Sequence, residues 1–344
     1  MAVIRSNVII PEIFTPYVEQ LTTLRSQFLQ SGIITPVDAL NAQEGGDTIN
    51  VPNFAADLAG DAEVLTDTTS LTPAGITASK QVGVVLHRGK MWTVRELAKL
   101  AAGADPMAAI AGKTAAWVNN QQEKDLIATL DGCFGPLTSN TTGCLRTMTV
   151  DSVSGTPAPF GPRQVAQAKA LLGDQGDKLT AVAMNSACFY DLVERKMIDY
   201  VTAADSVNFN AGSGATDAVG GSFAPGFQSG STQVPVYGDL RVIVTDNIAV
   251  SSSNYGCYFF AAGSVGTGSQ QGLVTETDRD IAALEDAMTV HWHNVIHPLG
   301  VAYATSTAGV NPTRTVLGTA TSWTKIFETK NIGIVRATIT SNFD

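Results

Sequence analysis

Three histidines crowd one stretch, His291-Trp292-His293 and then His297, and His87 is the only other histidine in the chain. Alternate residues of an extended strand share a face, so these three odd-numbered imidazoles project together. Imidazoles on one face can bind zinc, and Glu285 and Asp286 are the carboxylates nearest in sequence. A metal-dependent enzyme built on the His291/His293/His297 face is one reading. A row of strand residues at a sheet rim is the plainer one. We prefer the second, because neither HExxH nor CxxC accompanies the triplet and only His87 is left for acid–base work.

Other chemistry has less to stand on. Gly266-Thr267-Gly268 and Gly272 suggest a phosphate loop, but the spacing is not GxGxxG. The next residues are Val274-Thr275-Glu276-Thr277-Asp278-Arg279-Asp280, where a dinucleotide site needs a helix. No GxxxxGK(S/T) and no GxSxG occur, so nucleotide hydrolysis and a serine triad have no anchor. Glu276, Asp278, Asp280, Glu285 and Asp286 form the densest carboxylate group and are expected in a solvated acidic loop. The sequence therefore predicts no enzyme: no catalytic, cofactor-binding or metal residues.

The four cysteines, Cys133, Cys144, Cys188 and Cys257, have no metal-ligand spacing and are expected as free thiols. Cys133 and Cys144 flank a short loop and are the two that can bridge on oxidation. The 344 residues are 44% hydrophobic, enough for a sizeable core, but only 15% charged, against roughly 25% in an ordinary domain. Such a surface suits contact with other proteins. Net charge is −10, and Lys and Arg are scattered, with Arg195-Lys196 the only adjacent basic pair, so tight binding to nucleic acid is not expected. The apolar start is short and broken by Pro11, which argues against a signal peptide, and no run approaches the ~20 apolar residues of a membrane span.

These residues must be positioned by a mixed set of elements. Thr15-Pro16 opens a helix whose Tyr17, Leu21, Leu24 and Phe28 share a face, with Gly32 ending it. Residues 48–54 alternate as a strand. A polar tip comes next, and a return strand runs from Ile76 to Val85 and on through Lys90. Such an excursion is stable only if its strands lie on another surface. Asp105-Pro106 starts the longest helix, with Met107, Ile110, Ala111, Ala115, Val118, Leu126 and Leu130 on one face and Gly132 as its stop. Residues 162–201 read as helix, strand Leu179 to Met184, and a helix from Cys188 to Met197, a compact α/β pattern. Residues 202–232 are of low complexity. Strands are expected at Leu240 to Thr245 and Tyr255 to Ala262, a short helix at Asn311-Pro312, and a last strand at Ile332 to Ile339.

Several segments carry a resemblance. Ala181-Val182-Ala183-Met184-Asn185-Ser186, Val234-Pro235-Val236-Tyr237-Gly238, Tyr255-Gly256-Cys257-Tyr258-Phe259-Phe260 and His297-Pro298-Leu299-Gly300 come in one serial order. That order resembles the major capsid proteins of tailed double-stranded DNA bacteriophages, the Hong Kong 97-type fold. The resemblance implies an α+β chain in six parts. They are an N-terminal arm (1–43), an extended β-hairpin loop (44–92), a peripheral domain (93–162) with a spine helix at 105–131, an axial α/β domain (163–273), a return to the peripheral domain (274–304), and a C-terminal helix and strand (305–344). It implies self-assembly as hexamers and pentamers into an icosahedral shell of the virion, built in the bacterial host cytoplasm. Portal protein, and scaffolding or cement proteins, are the further partners, with packaged DNA in loose contact only and no membrane. An encapsulin-type cargo shell is the alternative on the same fold. Inter-subunit contacts are expected at Tyr17 and Phe28 on the arm, at Val51, Phe54, Leu65, Leu71 and Lys80 on the loop, and at Arg88 and Arg195. Some relatives crosslink a loop lysine to an asparagine. Lys80 is the only lysine in residues 44–89 and sits on the return strand, so that chemistry is not carried over. No N-terminal segment rich in charged helix is present, so scaffolding is expected to be separate or absent.

Overall fold

The computed structural model describes residues 32–41, 45–54, 62–64, 71, 73, 75–76, 78–96, 106–137, 143–145, 147–149, 158–201, 234–248, 250–251 and 253–342. The expected arm helix with Tyr17 and Phe28, Leu65 at the loop tip, and the low-complexity tract lie outside these residues.

The chain divides into two units, each discontinuous: residues 1–147 with 263–333, and residues 148–262 with 334–344. The first pass gives β1 (Ile34–Pro36), β2 (Thr48–Phe54), β3 (Ala78–Val84), β4 (Leu86–Arg95) and α1 (Pro106–Phe134). The second unit comes next with β5 (Thr147–Thr149), α2 (Pro162–Leu172), β6 (Leu179–Met184), α3 (Ser186–Glu194), β7 (Asp199–Val201), β8 (Val234–Tyr237), β9 (Leu240–Val244), β10 (Val250–Ser251) and β11 (Asn254–Ala261). The chain returns to the first unit as β12 (Val265–Asp280), β13 (Glu285–Pro298), β14 (Val301–Tyr303), α4 (Thr305–Ala308), α5 (Arg314–Leu317) and β15 (Trp323–Lys325), and β16 (Ile334–Thr340) belongs to the second.

In the first unit a four-stranded sheet runs in the order β1-β12-β13-β4. Even positions of β13 turn Met288, Val290 and Trp292 onto α1, where Met107, Ala111, Ala115 and Val118 form the other half of the core. Trp117 meets Trp92 and Trp292 edge-on, with ring centroids 5.0 and 5.8 Å apart. The apolar spacing that predicts α1 is thus the face it buries. Its end differs from the expectation. The helix passes through Gly132 to Phe134, because this glycine admits another segment rather than stopping the turn. A Cβ there would collide with the Leu317 carbonyl and the Trp323 indole, whose Nε1 donates to Leu317 O at 2.8 Å.

Two further expectations change here. The acidic stretch 274–280 is strand, paired with β13 down to Asp280↔Glu285. The turn at 281–284 is held by Asp280, whose Oδ1 accepts from the Ala282 and Ala283 amides at 2.8 and 3.2 Å, an Asx-type closure. Gly266 and Gly268 lie within β12, not in a phosphate loop or turn. Both face Leu40, and a Cβ on Gly268 would strike the Leu40 backbone. The return strand also ends earlier than expected. It breaks at the buried Val85; β3 stays with β2, while β4 pairs with β13 from Leu86↔Asn294 to Arg95↔Glu285.

In the second unit the sheet order is β5-β16-β11-β6-β9-β8-β7, with β10 against β11. β6 and β9 are parallel and most other pairs antiparallel, an α+β arrangement. Ala168 and Leu172 of α2 and Cys188 and Leu192 of α3 pack with Val182, Val242, Phe259 and Ala337 of the sheet. Asn185 caps α3 by accepting from the Ala187 amide at 3.0 Å, so the helix starts at Ser186, two residues before the expected Cys188.

Candidate functional site

The histidine row separates into two environments. His291 and His293 are half-buried with centroids 6.2 Å apart, and His87 of β4 meets His293 edge-on at 4.3 Å. His87 Nε2 lies 3.5 Å from Asp47 Oδ1. His297 is buried, and its Nε2 is bonded to Val301 O at 2.9 Å. Burial lowers its pKa to about 4, against a smaller rise from that bond. Burial, then the charges of His87 and His291, lowers that of His293. The metal reading of His291, His293 and His297 therefore gives way. His297 is spent on a backbone carbonyl, and among the described residues no three His, Cys, Asp or Glu are placed to hold an ion.

A second cluster, with no signature in the residue pattern, lies in the polar middle of α1. Asp125 has no exposed surface and accepts from Arg314 Nε at 2.6 Å and Arg88 Nε at 3.3 Å. Arg314 also donates to Gln121 Oε1 at 2.7 Å, and Arg88 to Pro312 O at 2.9 Å. Asn311, in the left-handed region at φ 47°, accepts from the His87 amide at 3.2 Å. It does not cap α5; Thr313 does. Arg88, expected at a contact between subunits, has its guanidinium engaged within the chain.

The β2–β3 hairpin has the most open geometry. It is a two-stranded sheet with seven register pairs, from Thr48↔Val84 to Phe54↔Ala78. Its base is anchored. Ile49 and Val51 pack on Leu40, Val85 and Val295, and Gln81 Oε1 accepts from the Gly300 amide at 2.9 Å. Its far half is bare: Pro52, Phe54, Ala78, Ser79 and Lys80 are exposed, Phe54 at 68%. Asn53 Nδ2 donates to Ser79 Oγ at 2.9 Å across the ribbon. Leu71 is exposed as well. Such a ribbon offers open backbone groups and apolar area to another surface. Val51 thus rests on its own chain, whereas Phe54, Leu71 and Lys80 are exposed. In the second unit, Arg195 at the end of α3 pairs with Asp191 at 2.7 Å and donates to Phe160 O at 3.4 Å.

One exposed feature escaped sequence reasoning. The β12–β13 turn carries Ile281 and Leu284, 81% and 54% exposed, above Arg279, which bridges Glu96 at 2.7 Å and Asp286 at 3.4 Å. The available signal was Ile281-Ala282-Ala283-Leu284, an apolar run at a hairpin turn where polar residues are usual.

Known proteins complete the picture. A family described as Gp13-like, major capsid protein 13-like, matches residues 37–333. The chain is 34% identical over 343 residues to the major capsid protein of Bacillus phage SPP1, covering 96% of both. Among solved structures it is similar to the cyanophage Pam1 capsid asymmetric unit, with TM-score 0.55 and 15% identity over 93% of each chain. It is similar too to the capsid of Ralstonia phage GP4, with TM-score 0.55 and 10% identity over 92% of this chain and 91% of that one. At such identities the structures speak for the fold, which is the Hong Kong 97-type capsid fold expected from the segment order. Neither the encapsulin alternative nor the metal-enzyme alternative finds support. With a family model matching most of its length and a relative at 34% identity, the chain belongs to the Gp13-like major capsid protein family.

Proposed function

We propose that this capsid protein tiles an icosahedral shell as hexamers and pentamers around the double-stranded DNA of a tailed phage, and that β2–β3 is the element that reaches a neighbouring subunit. The observation that carries the reading is the bare far half of that hairpin, with Phe54 at 68% exposure on a ribbon of only two strands. An isolated hairpin is marginal in water, and burying a side chain of this size contributes about 1.5–3 kcal/mol. Laid across a second copy, the ribbon gains that burial and partners for its open backbone. In this reading Tyr17, Phe28, Leu65, Leu71 and Lys80 join Phe54 at contacts between copies. The axial domain, expected at 163–273, is in this reading the unit of residues 148–262 with 334–344, and the other unit is the peripheral domain. Portal, scaffolding or cement proteins are the other partners, and assembly takes place in the host cytoplasm. With a net charge of −10, the shell holds its DNA loosely.

Deletion of residues 56–74 tests the proposal. The shortened subunits are expected to keep the circular dichroism and cooperative unfolding of the full chain, yet to give no closed particles in negative-stain microscopy. Intact shells from the deletion would remove the hairpin from this role.

A further inference from the structure

We propose that Cys133 and Cys144 form a redox pair, Cys144 as the entry thiol and Cys133 as the resolving thiol, that closes an intramolecular disulfide on meeting a small disulfide such as oxidised glutathione. The proposal stands on how the two are held and does not depend on the shell geometry above. Cys133 lies in the last turn of α1 and is fully buried. Residues 143–145 are pinned onto that turn from both sides of Cys144. The Leu145 amide donates to Cys133 O at 2.9 Å, and Gly143 lies so close to the backbone of Cys133 and Phe134 that a Cβ would collide with it. Cys144, between these anchors, is only half-buried, and its thiol hydrogen-bonds to that of Cys133.

The local electrostatics assign the roles. The hydrogen bond from Cys133 lowers the Cys144 pKa, helped by the backbone amides of Cys144 and Leu145 and by the Lys325 charge, against the opposing effect of burial. Burial, then Cys144, pushes the Cys133 thiol well up. Of the two thiols the accessible one therefore loses its proton more readily, and the thiolate is the attacking species in exchange. In the first step the Cys144 thiolate attacks the small disulfide, forming a mixed disulfide on Cys144 and releasing one glutathione thiolate. In the second, the Cys133 sulfur attacks the Cys144 sulfur, and the second glutathione leaves as a thiolate that takes up the Cys133 proton. Two protein thiols are oxidised and one small disulfide is reduced to two thiols. The other two cysteines lack an entry route. Cys188 and Cys257 are both buried, and burial, then the proximity of Cys188, raises the Cys257 pKa.

The test treats the full chain, assembled and unassembled, with oxidised glutathione near neutral pH. Free thiols are then alkylated and unreduced digests are read by mass spectrometry. The expected result is a peptide pair crosslinked through Cys133 and Cys144, with Cys188 and Cys257 alkylated only after unfolding. Cys133→Ser and Cys133→Ala, the second avoiding a buried hydroxyl, are each expected to carry glutathione on Cys144. Cys144→Ser is expected to carry none on Cys133. Wild-type chains with both thiols still free in both preparations, or folded Cys133 variants whose Cys144 stays unmodified, would overturn the pair.

Discussion

A carboxylate in the polar run of a helix is ordinarily solvated, yet Asp125 is fully buried between two guanidinium groups. Its neighbours Gln121, Glu123 and Lys124 give it the look of a surface residue, and nothing in the α1 sequence announces partners some 37 and 189 residues away. Removing one member of such a cluster leaves buried charge without compensation. Asp125→Ala is expected to destabilise the unassembled subunit by about 3–5 kcal/mol, read as a lower urea midpoint at unchanged slope. The histidines were legible as a shared-face row, but the fate of each was not, because burial depends on strands far off in sequence. His297 has a consequence for pH. Unfolded, its imidazole titrates near 6.5; folded, burial holds it at about 4. Between these values the unfolded chain binds more protons, so stability is lost as pH falls through the window. The loss for this one group is up to about 3 kcal/mol. His297→Gln, which keeps a donor for Val301 O, is expected to flatten the unfolding free energy between pH 6.5 and 4 relative to wild type.

Elements were legible where apolar spacing coincided with the buried face, as in α1 and in β13, whose Met288, Val290 and Trp292 alternate onto the helix. They were illegible where a residue type does a job other than its usual one. Gly132 reads as a helix stop but serves to admit Leu317 and Trp323. The β12–β13 turn is obscured because its tip is the apolar Ile281-Ala282-Ala283-Leu284, which leaves Asp280, closing it with a side-chain oxygen, as its turn signal. The β-strand glycines Gly266 and Gly268 read as a loop but make room for Leu40. Overpacking such a contact costs about 1–3 kcal/mol. Gly268→Ala is therefore expected to destabilise the subunit by that amount in thermal or urea unfolding. Gly272→Ala on the same strand meets nothing within 4 Å and is expected to stay within about 0.5 kcal/mol of wild type.

At the scale of the molecule, low charge and unsupported strands were visible in the sequence as a sign of protein contact. A return of the chain to its first unit was expected from the resemblance, but the place of the last strand in the second unit was not legible, since a pairing such as β11 with β16 leaves no local mark. Separating fold from assembly is an expected property of the open hairpin. Phe54→Ser is expected to leave subunit stability within about 0.5 kcal/mol of wild type while reducing the yield of closed particles by centrifugation, because Phe54 packs on little of its own chain. The place of β16 reaches further. It lies between β5 and β11, with Ile334 through Ile339 buried, so it is an inner strand of its sheet. Every strand it touches leaves the ribosome before it does. A nascent chain that stops short of residue 334 carries a gap where an inner strand belongs, so that half of the subunit waits for translation to pass this point. A chain terminated before that point leaves β5 and β11 without the strand that joins them.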